Sequence, residues 1–245
     1  MMKIIYWLRS VLMMFVAPWT VVVLGTSVVI CHILFKSKKI DDWHISTWGK
    51  INYKMFGIDL VVYGQENIPS TGCLFLFSHS SYFDIFALCG ALPGIRFGAK
   101  AELFKIPIFS QAMRILGTLP IARQSREEVY KIYDEAKIRL RTESFALSPE
   151  GGRFYGPHLA PFKAGPFIFA MSAEALIVPV VIIGAYQCLP MGGLIPNKDK
   201  ASRTIEVHIL EPISSIGYLP ATRQKLQAQV YSAMDPIWSK NFEIV

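Results

Sequence analysis

From Asp59 onward the chain alternates between short apolar runs and longer stretches of mixed polarity, with turn residues at the joints. Asp-Leu-Val-Val-Tyr-Gly from residue 59, and Cys-Leu-Phe-Leu-Phe-Ser from residue 73 behind a Pro-Ser-Thr-Gly turn, predict strands. Further apolar runs at 95–100, 117–122, 144–148 and 177–186 predict four more, and 204–210 alternates with the period of two of a half-buried strand. Between them lie helical stretches at 82–89, 108–116, 126–141, 166–173 and 222–240. Strands that alternate with helices predict an α/β fold, a mostly parallel twisted sheet flanked by helices.

The first 58 residues follow another pattern. Residues 10–35 contain no Asp, Glu, Lys or Arg, and a helix through them would be about 39 Å long, enough to cross a hydrocarbon core of roughly 30 Å. This predicts an N-terminal membrane-anchoring helical segment. Pro18 inside the run predicts a kink or a break. Lys3 and Arg9 precede it and Lys36, Lys38 and Lys39 follow it. Basic residues on both sides suit a hairpin that turns near Pro18 and returns on one face better than a single span. A cleaved leader is disfavoured, because the run is long and no small-x-small site closes it. Residues 36–58 mix lysines with Trp43, Trp48 and Tyr53. That composition suits a helix at a headgroup boundary, and equally an amphipathic helix packed on the main domain. The chain thus divides into 1–58, membrane anchor and interfacial helix, and 59–245, an α/β domain. Residues 1–58 are expected to localise the protein without performing its chemistry.

Composition sharpens this. Hydrophobic residues make up 52% of the 245, and the formal net charge is +7. No basic helix with interleaved aromatics, zinc-finger spacing or RNP-like strand accompanies the charge, which argues against nucleic acid. An anionic membrane surface, a phosphate-bearing substrate and an acidic carrier account for it better. Cys31, Cys73, Cys89 and Cys188 form no CxxC pair, and their scatter suits reduced, buried thiols. His32, His44, His158 and His208 lack metal-like spacing, and no metal is expected.

Candidate chemistry centres on residues 73–84. The strand ends at Ser78, and His79 stands at its mouth. On one continuous helix His79 and Asp84 would point about 140° apart. With His79 in a loop and Asp84 in the first helical turn, the carboxylate can reach the imidazole, fix its tautomer and leave the other nitrogen free to take a proton. Ser81 and Asp84 equally fit a capping pair, in which case His79 would be an ordinary loop histidine. The segment alone supports both.

His79-Ser-Ser-Tyr-Phe-Asp84 resembles the HX4D motif of the glycerolipid acyltransferase family, which includes the 1-acylglycerol-3-phosphate acyltransferases. Three more blocks follow in the family's order. Gly117-Thr-Leu-Pro-Ile-Ala-Arg123 resembles the second, Ser148-Pro-Glu-Gly-Gly-Arg153 the third and Ile177-Val-Pro-Val-Val-Ile182 the fourth. Lys100-Ala-Glu-Leu103 and Phe162-Lys-Ala-Gly165 are also similar to family segments. The likeness covers about 59–235. It implies that His79 is the general base, that Asp84 orients it, and that Gly117, Arg123, Glu150, Gly151 and Arg153 bind the glycerol phosphate, with Lys100 as a second phosphate ligand. Arginine offers a planar fork of donors for phosphate oxygens and lysine a point charge. Glu150 would hold a glycerol hydroxyl, while Gly151 and Gly152 would permit close backbone approach. Pro179 in the fourth block should lie at a sheet edge, a strand end or a bulge. Two departures, Ser78 where asparagine is common and Gly152 where threonine is, should fall beside the acceptor.

The implied reaction needs no cofactor beyond its co-substrate. An acyl group passes from acyl-CoA or acyl-carrier protein to the free hydroxyl of a lysophospholipid, with lysophosphatidic acid as the leading acceptor and phosphatidic acid as product. Such an enzyme of phospholipid synthesis would sit at a membrane with its catalytic domain facing the cytoplasm, where both donors are found. A different lysolipid acceptor is the alternative within the class. A serine lipase would need a G-x-S-x-G elbow, which the chain lacks. A silent membrane tether would have no use for a paired His79 and Asp84.

Overall fold

The two longest apolar runs of the domain become the middle of its sheet. In the structure, a computed structural model that describes residues 2–92, 94–122, 125–197, 199 and 203–242, strand β1 spans Asp59–Tyr63 and β2 spans Cys73–Phe77. Five further strands follow, β3 (Ile95–Lys100), β4 (Leu119–Ile121), β5 (Ser144–Leu147), β6 (Leu176–Ile183) and β7 (Thr204–Ile209). A two-residue β8 (Ile213–Ser214) completes the sheet. The order is β1-β7-β6-β2-β5-β3-β4, with β8 also on β6. Strands β6, β2, β5, β3 and β4 are mutually parallel; β7 and β8 run antiparallel to β6, and β1 runs parallel to β7. The fold is the expected mostly parallel α/β sheet.

Pro179 lies in central β6, opposite Leu76 of β2. Its neighbouring ladder pairs Val180 with Ile209 and Ile177 with Ile213, so three residues there face two on β6. The extra residue is a bulge, which spares the ladder a donor that proline cannot supply. Leu210 N–H still donates to the Pro179 carbonyl at 2.9 Å.

Alternate residues of each strand enter opposite cores. Cys73, Phe75 and Phe77 face one layer together with Phe83, Ala87 and Leu88 of α3 (Phe83–Ala91). Leu74 and Leu76 face the other, formed by α5 (Arg126–Leu140), α6 (Ala164–Ala173) and α8 (Arg223–Ser239). Short helices α4 (Phe109–Ile115) and α7 (Ala185–Cys188) follow β3 and β6. All four cysteines are free thiols.

The N-terminal segment departs from expectation. Helix α1 runs unbroken from Met2 to Phe35 with Pro18 inside it, and the reversal comes at Lys36, where φ is 45°, before α2 (Lys38–Met55). Proline removes its own N–H from the ladder and crowds the carbonyl one turn before it, but the helix is held from outside. Arg9 donates to the carbonyls of Met55 (2.7 Å) and Lys54 (2.6 Å) and so caps the end of α2. Arg203, wholly buried, donates to Ser10 Oγ (2.7 Å), the Asn197 carbonyl (2.8 Å) and the Phe56 carbonyl. Helix α2 packs directly on α3, where a Cβ on Gly49 would fall 2.4 Å from Cys89 Cβ. Of the two expectations for 36–58, packing on the domain is the one observed. The outer side of α1 is apolar and exposed, with Ile4, Leu8, Leu12, Phe15, Trp19 and Val23 in one stripe. Helix α1 is also long and apolar enough to cross a membrane. The boundary at residue 58 therefore separates two sequence patterns, whereas in space α1 and α2 are packed onto the domain.

Candidate active site

Parallel strands present their carboxyl ends to a common crevice. Here β2 ends just before His79, and β5 just before Ser148. The chain leaves β2 in a loop and enters α3 at Phe83, which places Asp84 in the first turn. Its Oδ2 accepts from His79 Nδ1 (2.8 Å), Ser80 N–H (2.7 Å) and Ser81 N–H (2.8 Å). The two rival readings of this segment thus describe one oxygen: Asp84 secures the helix start and orients the imidazole together. Because a carboxylate only accepts, His79 Nδ1 carries the hydrogen, and in the neutral imidazole Nε2 is then the nitrogen with the lone pair. Asp84 is fully buried, and the His79 side chain is 14% exposed.

The backbone of His79 is clamped as well. Its N–H donates to Glu150 Oε1 at 3.1 Å, and its carbonyl accepts from Phe154 N–H at 2.7 Å. Glu150 Oε2 accepts from Ala160 N–H at 3.0 Å. The next residue back, Leu159, donates to Asp235 Oδ1 of α8 at 2.8 Å, and His158 pairs with the same carboxylate. The expected glycerol-hydroxyl ligand therefore has both oxygens bound to backbone amides. Glu150 braces His79 from behind.

Burial pushes the Glu150 carboxyl up to about 7, assisted by the negative charge of Asp84 and opposed by the two backbone N–H bonds. The folded value lies above the ordinary 4.5, so the fold binds this proton more tightly than the unfolded chain does. That contribution is complete below pH 4.5 and is lost as pH rises through about 7, a decline on the order of 3 kcal/mol. Glu150→Gln should remove this part of the pH dependence of Tm. It should also lower turnover, since an amide offers one acceptor oxygen for two donors and leaves one N–H opposed. A variant with unchanged turnover and the wild-type Tm profile would refute the brace.

An apolar cavity of about 680 Å³ opens beside His79. Its walls come from Val21, Leu24 and Val28 of α1, Ile45 and Trp48 of α2, Phe86 of α3, Phe97 of β3, and Ala112 and Met113 of α4. Tyr82, Lys100, Arg153 and Met191 line it together with His79. Lys100 ends β3, exposed. The structure thus brings His79, Lys100 and Arg153 to one opening, with Asp84 and Glu150 bonded to His79 behind it.

Other expected ligands are placed differently. Gly117 (φ 72°) ends α4, with its N–H on the Arg114 carbonyl (3.0 Å) and Thr118 N–H on the Met113 carbonyl (2.9 Å). This is a glycine helix stop, and a Cβ there would strike Arg139 Nη2 at 2.2 Å; it does not line the cavity. Gly151 (φ 77°) turns the chain after β5 and likewise contributes no wall. Arg123 lies outside the described residues. Ser78 was expected beside the acceptor, but it is buried with its Oγ accepting from Ile182 N–H at 2.9 Å, so that departure concerns sheet packing. Among the described residues no group of three or more His, Cys, Asp or Glu is placed to hold a metal ion. Sequence reasoning missed Tyr82, whose only signal was an aromatic among the four residues separating His79 from Asp84. It also missed the walls given by α1, α2 and α4.

The chain belongs to the acyltransferase family, whose model matches residues 59–183. It is 30% identical over 172 residues to a chloroplast 1-acyl-sn-glycerol-3-phosphate acyltransferase of Brassica napus, covering 68% of this chain and 48% of that one. With a 1-acyl-sn-glycerol-3-phosphate acyltransferase of Saccharomyces cerevisiae it shares 27% identity, over 95% of this chain and 86% of the relative. The crystal structure of the 1-acyl-sn-glycerophosphate acyltransferase PlsC from Thermotoga maritima superposes with a TM-score of 0.80 at 24% identity, covering 99% of this chain and 97% of that one. That likeness establishes the shared fold. The match spans about half the length of the chloroplast relatives, 48% and 41%.

Proposed function

We propose that the protein transfers a fatty acyl group from a thioester, acyl-CoA or acyl-carrier protein, to the free hydroxyl of 1-acyl-glycerol-3-phosphate, giving phosphatidic acid. The observation that carries this is His79, held by the buried Asp84, at the mouth of an apolar cavity, with Lys100 and Arg153 at the same opening. His79 Nε2 takes the proton of the acceptor hydroxyl as its oxygen attacks the thioester carbonyl carbon. The imidazolium is stabilised by Asp84 while the tetrahedral intermediate stands. When the C–S bond breaks, the proton passes to the departing sulfur, and the products are an ester and a free thiol. The apolar cavity takes an acyl chain, and Lys100 and Arg153 take the phosphate.

The names of the relatives support this acceptor. Membrane contact is supported by the apolar outer stripe of α1 and by Met191 and Leu194, exposed in the loop after α7. In this proposal the domain works on the cytoplasmic face, where its thioester donors are. A panel of lysolipids tests the acceptor. Lysophosphatidic acid should be turned over well above lysolipids whose phosphate carries a second ester or that have no phosphate. Equal turnover across the panel would contradict a site built around a phosphomonoester.

A further inference from the structure

Four residues separate His79 from Asp84, and three of them are buried with structural tasks. Ser80 and Ser81 donate their N–H groups to Asp84, and Phe83 packs edge-on against Phe56. Tyr82 is different. It is 59% exposed and lines the cavity mouth. Above its ring lies the Arg153 guanidinium, 3.9 Å from Cζ to the ring centroid, with Nη2 donating to Tyr82 Oη at 3.3 Å.

The choice of partner matters chemically. The nearest carboxylate in sequence, Glu150, is occupied by two backbone amides and forms no ion pair with Arg153 among the described residues. A carboxylate on Arg153 would offset its charge and fill the donor fork that a phosphate needs. An aromatic face holds the plane of the guanidinium and leaves its charge intact. With one Nη on the phenol oxygen, the remaining N–H groups stay available for two phosphate oxygens.

We infer that Tyr82 is a positioning residue that stacks Arg153 and holds its donor fork ready for the phosphate of the acceptor. The inference rests on the assignment of Arg153 as a phosphate ligand. The residue acts through Arg153 and takes no part in proton transfer.

Steady-state kinetics of the full-length protein separate the two claims. Tyr82→Leu should raise the apparent KM for lysophosphatidic acid roughly 3- to 10-fold, with kcat and the KM for the acyl donor nearly unchanged. Tyr82→Phe keeps the ring and should stay within about twofold of wild type. In an Arg153→Ala background, Tyr82→Leu should add nothing further, because the residue it positions is gone. If Arg153→Ala leaves the KM for lysophosphatidic acid unchanged, the phosphate assignment falls and Tyr82 with it. If Arg153→Ala raises that KM but Tyr82→Leu does not, or if the two effects are additive, the positioning role alone is overturned.

Discussion

His79→Ala should lower acyl transfer by roughly 10²- to 10⁴-fold, the usual cost of removing a general base, and the folded state should survive it. The imidazole is a partly exposed loop side chain whose main packing is an edge contact with Phe77, centroids 5.4 Å apart. After its removal Asp84 Oδ2 still accepts from Ser80 and Ser81. Asp84→Asn should be nearly as damaging to turnover, because a neutral amide cannot stabilise the imidazolium. Asp84→Ala should cost more stability than either, since it leaves two backbone N–H groups and the imidazole without an acceptor in a buried site. Activity assays alongside thermal melts check the set. Wild-type turnover in a folded His79→Ala protein would remove the base assignment. An Asp84→Asn protein with lower Tm and normal turnover would reduce that residue to a helix cap.

Deletion of residues 1–58 should abolish activity on every acceptor, including a short-chain, water-soluble one. The sequence pattern favoured an anchor separable from the chemistry, and the packing argues otherwise. Val28, Ile45 and Trp48 form cavity wall, and Phe56 and Ile58 belong to the core on the α3 side. The deletion would also take from Arg203 its bonds to Ser10 Oγ and the Phe56 carbonyl, and would uncover the face of α3 on which α2 packs. Apolar surface uncovered in this way costs roughly 25 cal/mol per Å², against a total stability of about 5–15 kcal/mol for a domain. Circular dichroism and an assay with a soluble acceptor test this. A truncated chain that folds and acylates the soluble acceptor would show that α1 and α2 serve only to anchor.

How far the residues foretold this arrangement depended on whether the signal was local. Strands β2 and β6 are buried on both faces and read as unbroken apolar runs, so their existence and parallel pairing were legible. The pairing of His79 with Asp84 was legible as one of two readings of the segment, since a loop followed by a first helical turn can bring five-apart residues together, and the resemblance to the HX4D family chose between them. Helix α1 was not legible beyond its composition. The side packed on α2 and α4 and the side left exposed are both apolar, so no polar stripe marked which face was which. Gly117 illustrates another limit: a glycine that ends a helix and one that admits a ligand look alike in sequence, and only the Schellman bonds to Arg114 and Met113 separate them. Glu150 carried the right residue type for a ligand. Its backbone partners, His79 and Ala160, lie 71 and 10 positions away, and no sequence pattern announces such bonds. Strand β8, at two residues, was too short to stand out.

The central claim is direct transfer from thioester to acceptor under His79 base catalysis, and thiol release in a rapid-mixing experiment tests it most directly. Purified protein in phospholipid vesicles is mixed with acyl-CoA alone, then with lysophosphatidic acid, while free thiol and phosphatidic acid are followed together. The account predicts no thiol burst before the acceptor arrives, then equal amounts of thiol and phosphatidic acid, with both lost in His79→Ala. A stoichiometric burst of thiol without acceptor would mean that the acyl group is first parked on the protein, and would contradict it.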